Sequence, residues 1–240
     1  MKKFISISEY PGTNGTYFYN NFFKQYKFEA EYKSVSASKS TFEQIFKKAI
    51  DEGIKGISIS MPFKKTVIDL LDEIDNNVEL YQLCNTVVVN NGKLKGYNCD
   101  FDALSMVSNS ISQNDRIKIL GNGAIGSMAK KFLEKDYAVE IYSRSLDNWH
   151  LRHNNADVVF NCTSLGTIPG CPLDYLNEVL VVYDYSIGKT MLADLSYQYG
   201  VKYVGGLEFY KFQFSKQFEI YTDLKFNLDL YNELFRARYD

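Results

Sequence analysis

Residues 116–126, R-I-K-I-L-G-N-G-A-I-G, constrain this chain more than any other stretch. An apolar strand pattern runs straight into Gly-x-Gly-x-x-Gly, and residues 127–133 (SMAKKFL) continue with Met128, Phe132 and Leu133 at helical spacing. In a strand–turn–helix, the first glycine makes the tight turn, the second lets a pyrophosphate approach the backbone, and the third lets the helix pack close to the strand. The helix start then offers its free N–H groups and positive dipole end to the phosphates. We expect a Rossmann-type unit here, with Gly121, Gly123, Ala124, Ile125 and Gly126 as cofactor contacts.

The choice of dinucleotide falls at the end of the following strand. An acidic residue there would hold the ribose hydroxyls of NAD, but this chain has Tyr142-Ser143-Arg144-Ser145. A guanidinium flanked by hydroxyls suits a 2′-phosphate through paired, charge-assisted bonds. Ser143 and Arg144 therefore favour NADP(H), although Asp147 keeps NAD open.

The rest of the chain also alternates strands with helices. Residues 3–8, 28–33, 54–60 and 86–90 read as strands rich in β-branched and aromatic side chains, and 41–51 and 65–74 read as helices. Asn91-Gly92 between two apolar runs predicts a tight hairpin turn. Residues 102–112 suit a helix that links two domains. The second α/β series, RIKIL, AVEIYS, DVVFNC, VLVVYDYS and KYVGG, follows it, and helices near 209–224 and 226–237 close the sequence.

With 45% hydrophobic residues the 240-residue chain can build one large core or two modest ones. The 27 basic and 29 acidic side chains give a net charge of −2, so a small molecule is a better partner than nucleic acid or an anionic membrane. No apolar run approaches the ~20 residues that cross a bilayer, and the start has no signal-peptide pattern, so we expect a cytoplasmic protein. The four cysteines show no C-x-x-C spacing, and neither a metal site nor a disulfide is expected.

The segments SISMPFKK, LCNTVVV, GYNCD, GNGAIG, YSRS, NCTSLG and GGLEFYKFQFSKQF, in this order, resemble the shikimate dehydrogenase family over nearly the whole chain. The resemblance implies an α/β fold with an N-terminal substrate-binding α/β domain at 1–101, completed by 210–240, and a C-terminal Rossmann NADP-binding domain at 102–209. The last helices then return to the first domain. It also implies reversible reduction of 3-dehydroshikimate to shikimate by a monomer or homodimer.

Carried over by position, the catalytic pair falls on Lys64 and Asp100. The substrate contacts fall on Thr13, Ser60, Asn85 and Gln213, and further cofactor contacts on Asn161 and Thr163. Hydride transfer at a carbinol carbon requires a proton to move at the same oxygen, which a lysine beside a carboxylate can assist.

Three departures stand out. The family's paired serine hydroxyls for the substrate carboxylate reduce here to Thr13, with Gly15 at the second place and Tyr19 where histidine is usual. Glu208 stands where glycine commonly lines the nicotinamide site. Isoleucine occupies the position of the family's tyrosine after its aspartate, with Tyr185 two residues earlier. Alternatives therefore remain: a dehydrogenase of another hydroxylated ring acid, such as quinate or an amino analogue, or a non-catalytic binding protein of the same fold.

Overall fold

The structure is a computed structural model that describes residues 1–166 and 170–239. It opens with β1 (Lys2–Ser8), α1 (Asn14–Gln25), β2 (Ala30–Ser36), α2 (Phe42–Asp51), β3 (Gly56–Ile59), β4 (Glu73–Ile74), α3 (Asn76–Tyr81), β5 (Thr86–Asn90) and β6 (Lys93–Tyr97). It continues with α4 (Cys99–Ser108), β7 (Arg116–Leu120), α5 (Ala124–Leu133), β8 (Ala138–Tyr142), β9 (Val158–Asn161), β10 (Val181–Asp184), α6 (Met191–Gln198) and β11 (Lys202–Val204), and ends with α7 (Gly206–Thr222) and α8 (Leu228–Tyr239). Two compact units result, Met1–Cys99 with Gln213–Asp240, and Asp100–Phe212.

The first unit holds a six-stranded sheet in the order β2-β1-β3-β5-β6-β4. Strands β1, β2 and β3 are parallel, while β5 runs antiparallel to both β3 and β6. Because side chains alternate across a strand, Ile5, Ile7, Ile57 and Ile59 share one face and pack with Phe42 and Phe46 of α2. Phe4, Tyr32 and Ser58 face the other side, which is aromatic: Phe4 meets Phe23 at 5.5 Å and Tyr221 at 5.2 Å, and Tyr19 stacks on Tyr32 at 4.3 Å. Helix α1 buries Phe18, Tyr19, Phe22 and Phe23 at i, i+1, i+4 and i+5, which places them on one stripe against this face. The sequence reading assigned no helix there.

Three local expectations differ from the structure. Residues 65–74 form a 3₁₀ turn at Thr66–Leu70 followed by β4, not one helix. The backbone of Asp72 donates to Leu94 O (3.0 Å), its carboxylate accepts from Leu94 N (2.7 Å), and Glu73 and Ile74 pair with β6, so sheet bonding overrides the helical spacing. Strand β2 lies two to three residues later than the expected 28–33, because all of β1 pairs with it from Lys2↔Ala30 to Ser8↔Ser36. Helix α4 starts at Cys99 and stops at Ser108, short of residue 112. The Asn91-Gly92 hairpin forms as expected, with φ of 50° and 78°.

In the second unit, five strands stand in the order β11-β10-β9-β7-β8, all parallel. Counted from β7, this is the doubly wound order 2-1-3-4-5, whose direction reverses between β7 and β9. Ligands of such sheets bind beyond the carboxyl ends of the strands at that reversal. No helix among the described residues is long and apolar enough to cross a membrane.

Candidate functional site

The loops leaving β7 and β9 meet at the reversal point of the second unit. Gly121 has φ of 95°, and a Cβ there would lie 2.9 Å from Cys162 O. A Cβ on Gly126 would lie 1.9 Å from Gly121 O, so only glycine lets α5 sit on the β7 turn. Gly123 begins α5 with open space around its Cβ position, which leaves the backbone approachable beside Ala124 and Ile125. These features fit a pyrophosphate cradle at a helix start.

At the end of β8, the Ser143 hydroxyl accepts from Leu146 N (3.2 Å) and pairs with the Ser145 hydroxyl (2.9 Å). Asn148 braces this turn through Ser143 N and Ile141 O. Arg144 and Asp147 are both exposed, and neither has an ion pair among the described residues.

Asn161 is fully buried, and its side chain is engaged within the unit. Its Nδ2 donates to Asp184 Oδ1 (2.9 Å) and Leu165 O (3.1 Å), while its Oδ1 accepts from the Thr163 hydroxyl (2.7 Å) and amide (3.2 Å). Asn161 therefore shapes the loop that carries Thr163. Asp184 also accepts from Ser186 N, Thr190 Oγ1 and Tyr203 OH. Burial, with Asp184 adding to it, pushes the Cys162 thiol far up, so it stays protonated.

Tyr185 stacks on Phe209 at 3.9 Å, and its buried hydroxyl has no hydrogen-bond partner among the described residues. Glu208 lies in the first turn of α7, where its carboxylate accepts from Lys211 Nζ. This pairing gives the side chain that stands at the family's glycine position a partner on its own helix.

In the first unit, Ser60 directly follows β3 and Asn85 directly precedes β5. Ser60 is exposed after β3, and the Met61–Pro62 peptide is cis. Phe63 is buried and stacks on Phe42 at 4.3 Å, Lys64 is half-buried, and Lys65 is exposed. The Lys64 carbonyl accepts from Cys84 N (2.8 Å), which ties this loop to the residue before Asn85.

Asn85 is 1% exposed, and its backbone links β3 to β6 through Ile59 N and Tyr97 O. Its Oδ1 accepts from Cys99 N (2.9 Å) and Thr86 Oγ1 (2.8 Å), whereas its Nδ2 has no partner among the described residues. Asp100 follows Cys99 in the chain and is buried in the first turn of α4.

Gln213 is half-buried on α7. The residue of that helix that reaches Asn85 is Gln217, one turn further on, whose Nε2 donates to Asn85 O (3.1 Å) and Thr86 Oγ1 (2.7 Å). The i, i+4 repeat in Q-F-S-K-Q was the available sequence signal.

At the start of α1, Thr13 Oγ1 accepts from Arg238 Nη2 (2.6 Å), and Arg238 Nε donates to Asn14 Oδ1 (3.2 Å). The Arg238 guanidinium lies over Tyr17 at 4.5 Å and has no acidic partner among the described residues. Gly15 is covered by Tyr32, whose hydroxyl donates to Ser58 Oγ (2.8 Å). Nothing in the sequence pointed to Arg238 or Tyr32.

Residues 14–87 match the family model of the shikimate dehydrogenase substrate binding domain. A shikimate dehydrogenase-like protein from Haemophilus influenzae is 27% identical, covering 91% of this chain and 89% of its own. A shikimate dehydrogenase (NADP(+)) from Methanococcus maripaludis is 25% identical with 86% of each chain covered. Among solved structures, shikimate dehydrogenase 1 from Peptoclostridium difficile superposes with a TM-score of 0.86 over 99% of both chains at 22% identity, a likeness of fold.

Proposed function

We propose that the chain is a member of the shikimate dehydrogenase family and an NADP-dependent oxidoreductase interconverting 3-dehydroshikimate and shikimate. The observation that carries the reading is the Asn85 amide, buried, held on its oxygen side and without a partner on its nitrogen side among the described residues. A buried donor without an acceptor costs about 1–3 kcal/mol, and a ring hydroxyl of the substrate removes that cost. Its loop is bonded to the Lys64 backbone, the position of the catalytic lysine.

Residues 1–101 with 210–240 bind the substrate in this reading, and 102–209 bind the cofactor. NADP(H), when bound, supplies the acceptor or donor of the hydride. The glycine turn at 121–126 cradles its pyrophosphate, and Arg144 with Ser143 takes the 2′-phosphate. Thr163, on the loop that Asn161 braces, lies along the cofactor.

Lys64 and Asp100 act as a pair at the reacting hydroxyl, one holding the oxygen while the pair moves its proton. Ser60 and Gln213 hold further ring hydroxyls. Thr13 binds the substrate carboxylate with Arg238, whose charge takes over from the hydroxyl missing at Gly15.

One observation favours the second reading, a dehydrogenase of a related hydroxylated ring acid such as quinate: Tyr32 fills the space at Gly15, so the acid anchor has a different outline. Steady-state kinetics of Asn85→Ala test the main reading. One lost hydrogen bond predicts a KM for shikimate raised about 5–20-fold and an unchanged KM for NADP⁺. Equal effects on both constants, or on neither, remove Asn85 from the substrate site.

A further inference from the structure

The unpartnered nitrogen of Asn85 is set in place by a chain of bonds whose directions are fixed by chemistry. A backbone N–H can only donate, so the bond from Cys99 N identifies the atom facing it as the amide oxygen of Asn85. A backbone carbonyl can only accept, so the atom of Gln217 that meets Asn85 O is its amide nitrogen. The other hydrogen of that nitrogen goes to Thr86 Oγ1 at 2.7 Å. Gln217 Oε1 accepts from the Tyr19 hydroxyl at 3.2 Å. With its oxygen occupied by Gln217, the Thr86 hydroxyl turns its proton to Asn85 Oδ1 at 2.8 Å, a nearer and stronger acceptor than the Cys99 sulfur at 3.3 Å. Donation runs one way, from Tyr19 through Gln217 and Thr86 to Asn85. Asn85, Thr86 and Gln217 are each at most 3% exposed, and Tyr19 is 1% exposed, so water does not substitute for a missing member.

We propose that Gln217 is a positioning residue that, with Tyr19 and Thr86, locks Asn85 so that the site presents an N–H donor and selects ligands that bring an acceptor oxygen to it. This rests on the reading of Asn85 as a substrate contact. If the amide turned over, two donors would face its nitrogen and its oxygen would face the ligand. Tyr19, where the family pattern has histidine, is the outer end of the chain and is held by its stack on Tyr32.

The test is a double-mutant cycle on the whole protein. Gln217→Met keeps the length of the side chain and removes both donors. In the wild-type background it is expected to raise the KM for shikimate roughly tenfold and leave kcat within about twofold. In an Asn85→Ala background the same substitution is expected to leave KM unchanged. Tyr19→Phe deletes one hydroxyl and is expected to raise KM about two- to threefold, again only where Asn85 is present. Equal factors in the two backgrounds, or no change in either, overturn the inference.

The orientation is also read without substrate. The side-chain amide of Asn85, assigned in ¹H–¹⁵N spectra by its loss in Asn85→Ala, is expected to shift in Gln217→Met. An unmoved pair of signals overturns the inference even if shikimate is turned over. A moved pair in a protein that does not turn over shikimate supports the positioning role and discards only the substrate.

Discussion

Substituting Gly15→Ser, which would restore the family's second anchor hydroxyl, is expected to weaken the first unit. A Cβ at position 15 lies 2.9 Å from Tyr32 Cε1 and 3.3 Å from its hydroxyl oxygen. The ring is pinned: it stacks on Tyr19 at 4.3 Å with planes 9° apart, and its hydroxyl bonds Ser58, which also bonds Tyr221 OH at 3.0 Å. Overpacking of this kind costs about 1–3 kcal/mol, or roughly 3–9 °C of melting temperature for a chain of this size. Tyr32→Leu removes the obstructing ring, and adding Gly15→Ser to it is expected to cost nothing further, a coupling of at least about 1 kcal/mol. Calorimetry or far-ultraviolet circular dichroism is the proper assay, because the sole tryptophan, Trp149, reports on the other unit. If Gly15→Ser costs the same in both backgrounds, or stabilises the protein, the steric argument is wrong.

Lys118, 4% exposed on β7, has its ammonium pulled down to about 8 by burial, with Glu140 opposing the shift. The unfolded chain therefore binds more protons between about pH 8 and about pH 10.4, and stability from this group rises with pH across that window. Lys118→Met is expected to gain about 1–2 kcal/mol near pH 7 after losing the bond to Asn154 O, and to gain less above about pH 10; melting curves showing a gain constant with pH would refute this. Arg144→Asp is expected to weaken NADPH binding roughly 100-fold, and NADH binding less than about threefold; equal losses by titration calorimetry would put the 2′-phosphate elsewhere. Arg238→Gln is expected to raise the KM for shikimate about 5–10-fold and leave kcat unchanged, and a change below about twofold would remove it from the anchor.

The parts of the fold that were readable from sequence are those whose cause is local. The glycine turn before α5 and the Asn91-Gly92 hairpin need particular residues at particular dihedrals, and both announce themselves. Helix α1 did not, because Asn, Gly, Thr and aromatic residues are weak helix formers. Its order comes from rings distant in sequence, such as Phe214 at 5.7 Å from Phe18. Residues 65–74 carried a helical spacing that pairing with β6 overrides.

The same division holds at the site. The glycine turn could be read from turn chemistry, and Lys64 and Asn85 are proposed site residues through the family resemblance. Gln217 reaches Asn85 across 132 residues and Arg238 reaches Thr13 across 225, and only the folded chain brings them together.

The measurement that bears most directly on the proposed function is NADP⁺ reduction by the purified protein with shikimate, run beside quinate and beside a Lys64→Ala control. The account predicts turnover with shikimate that exceeds turnover with quinate and is lost in the control. Binding of NADPH with no turnover of shikimate, or turnover that survives Lys64→Ala, would contradict it.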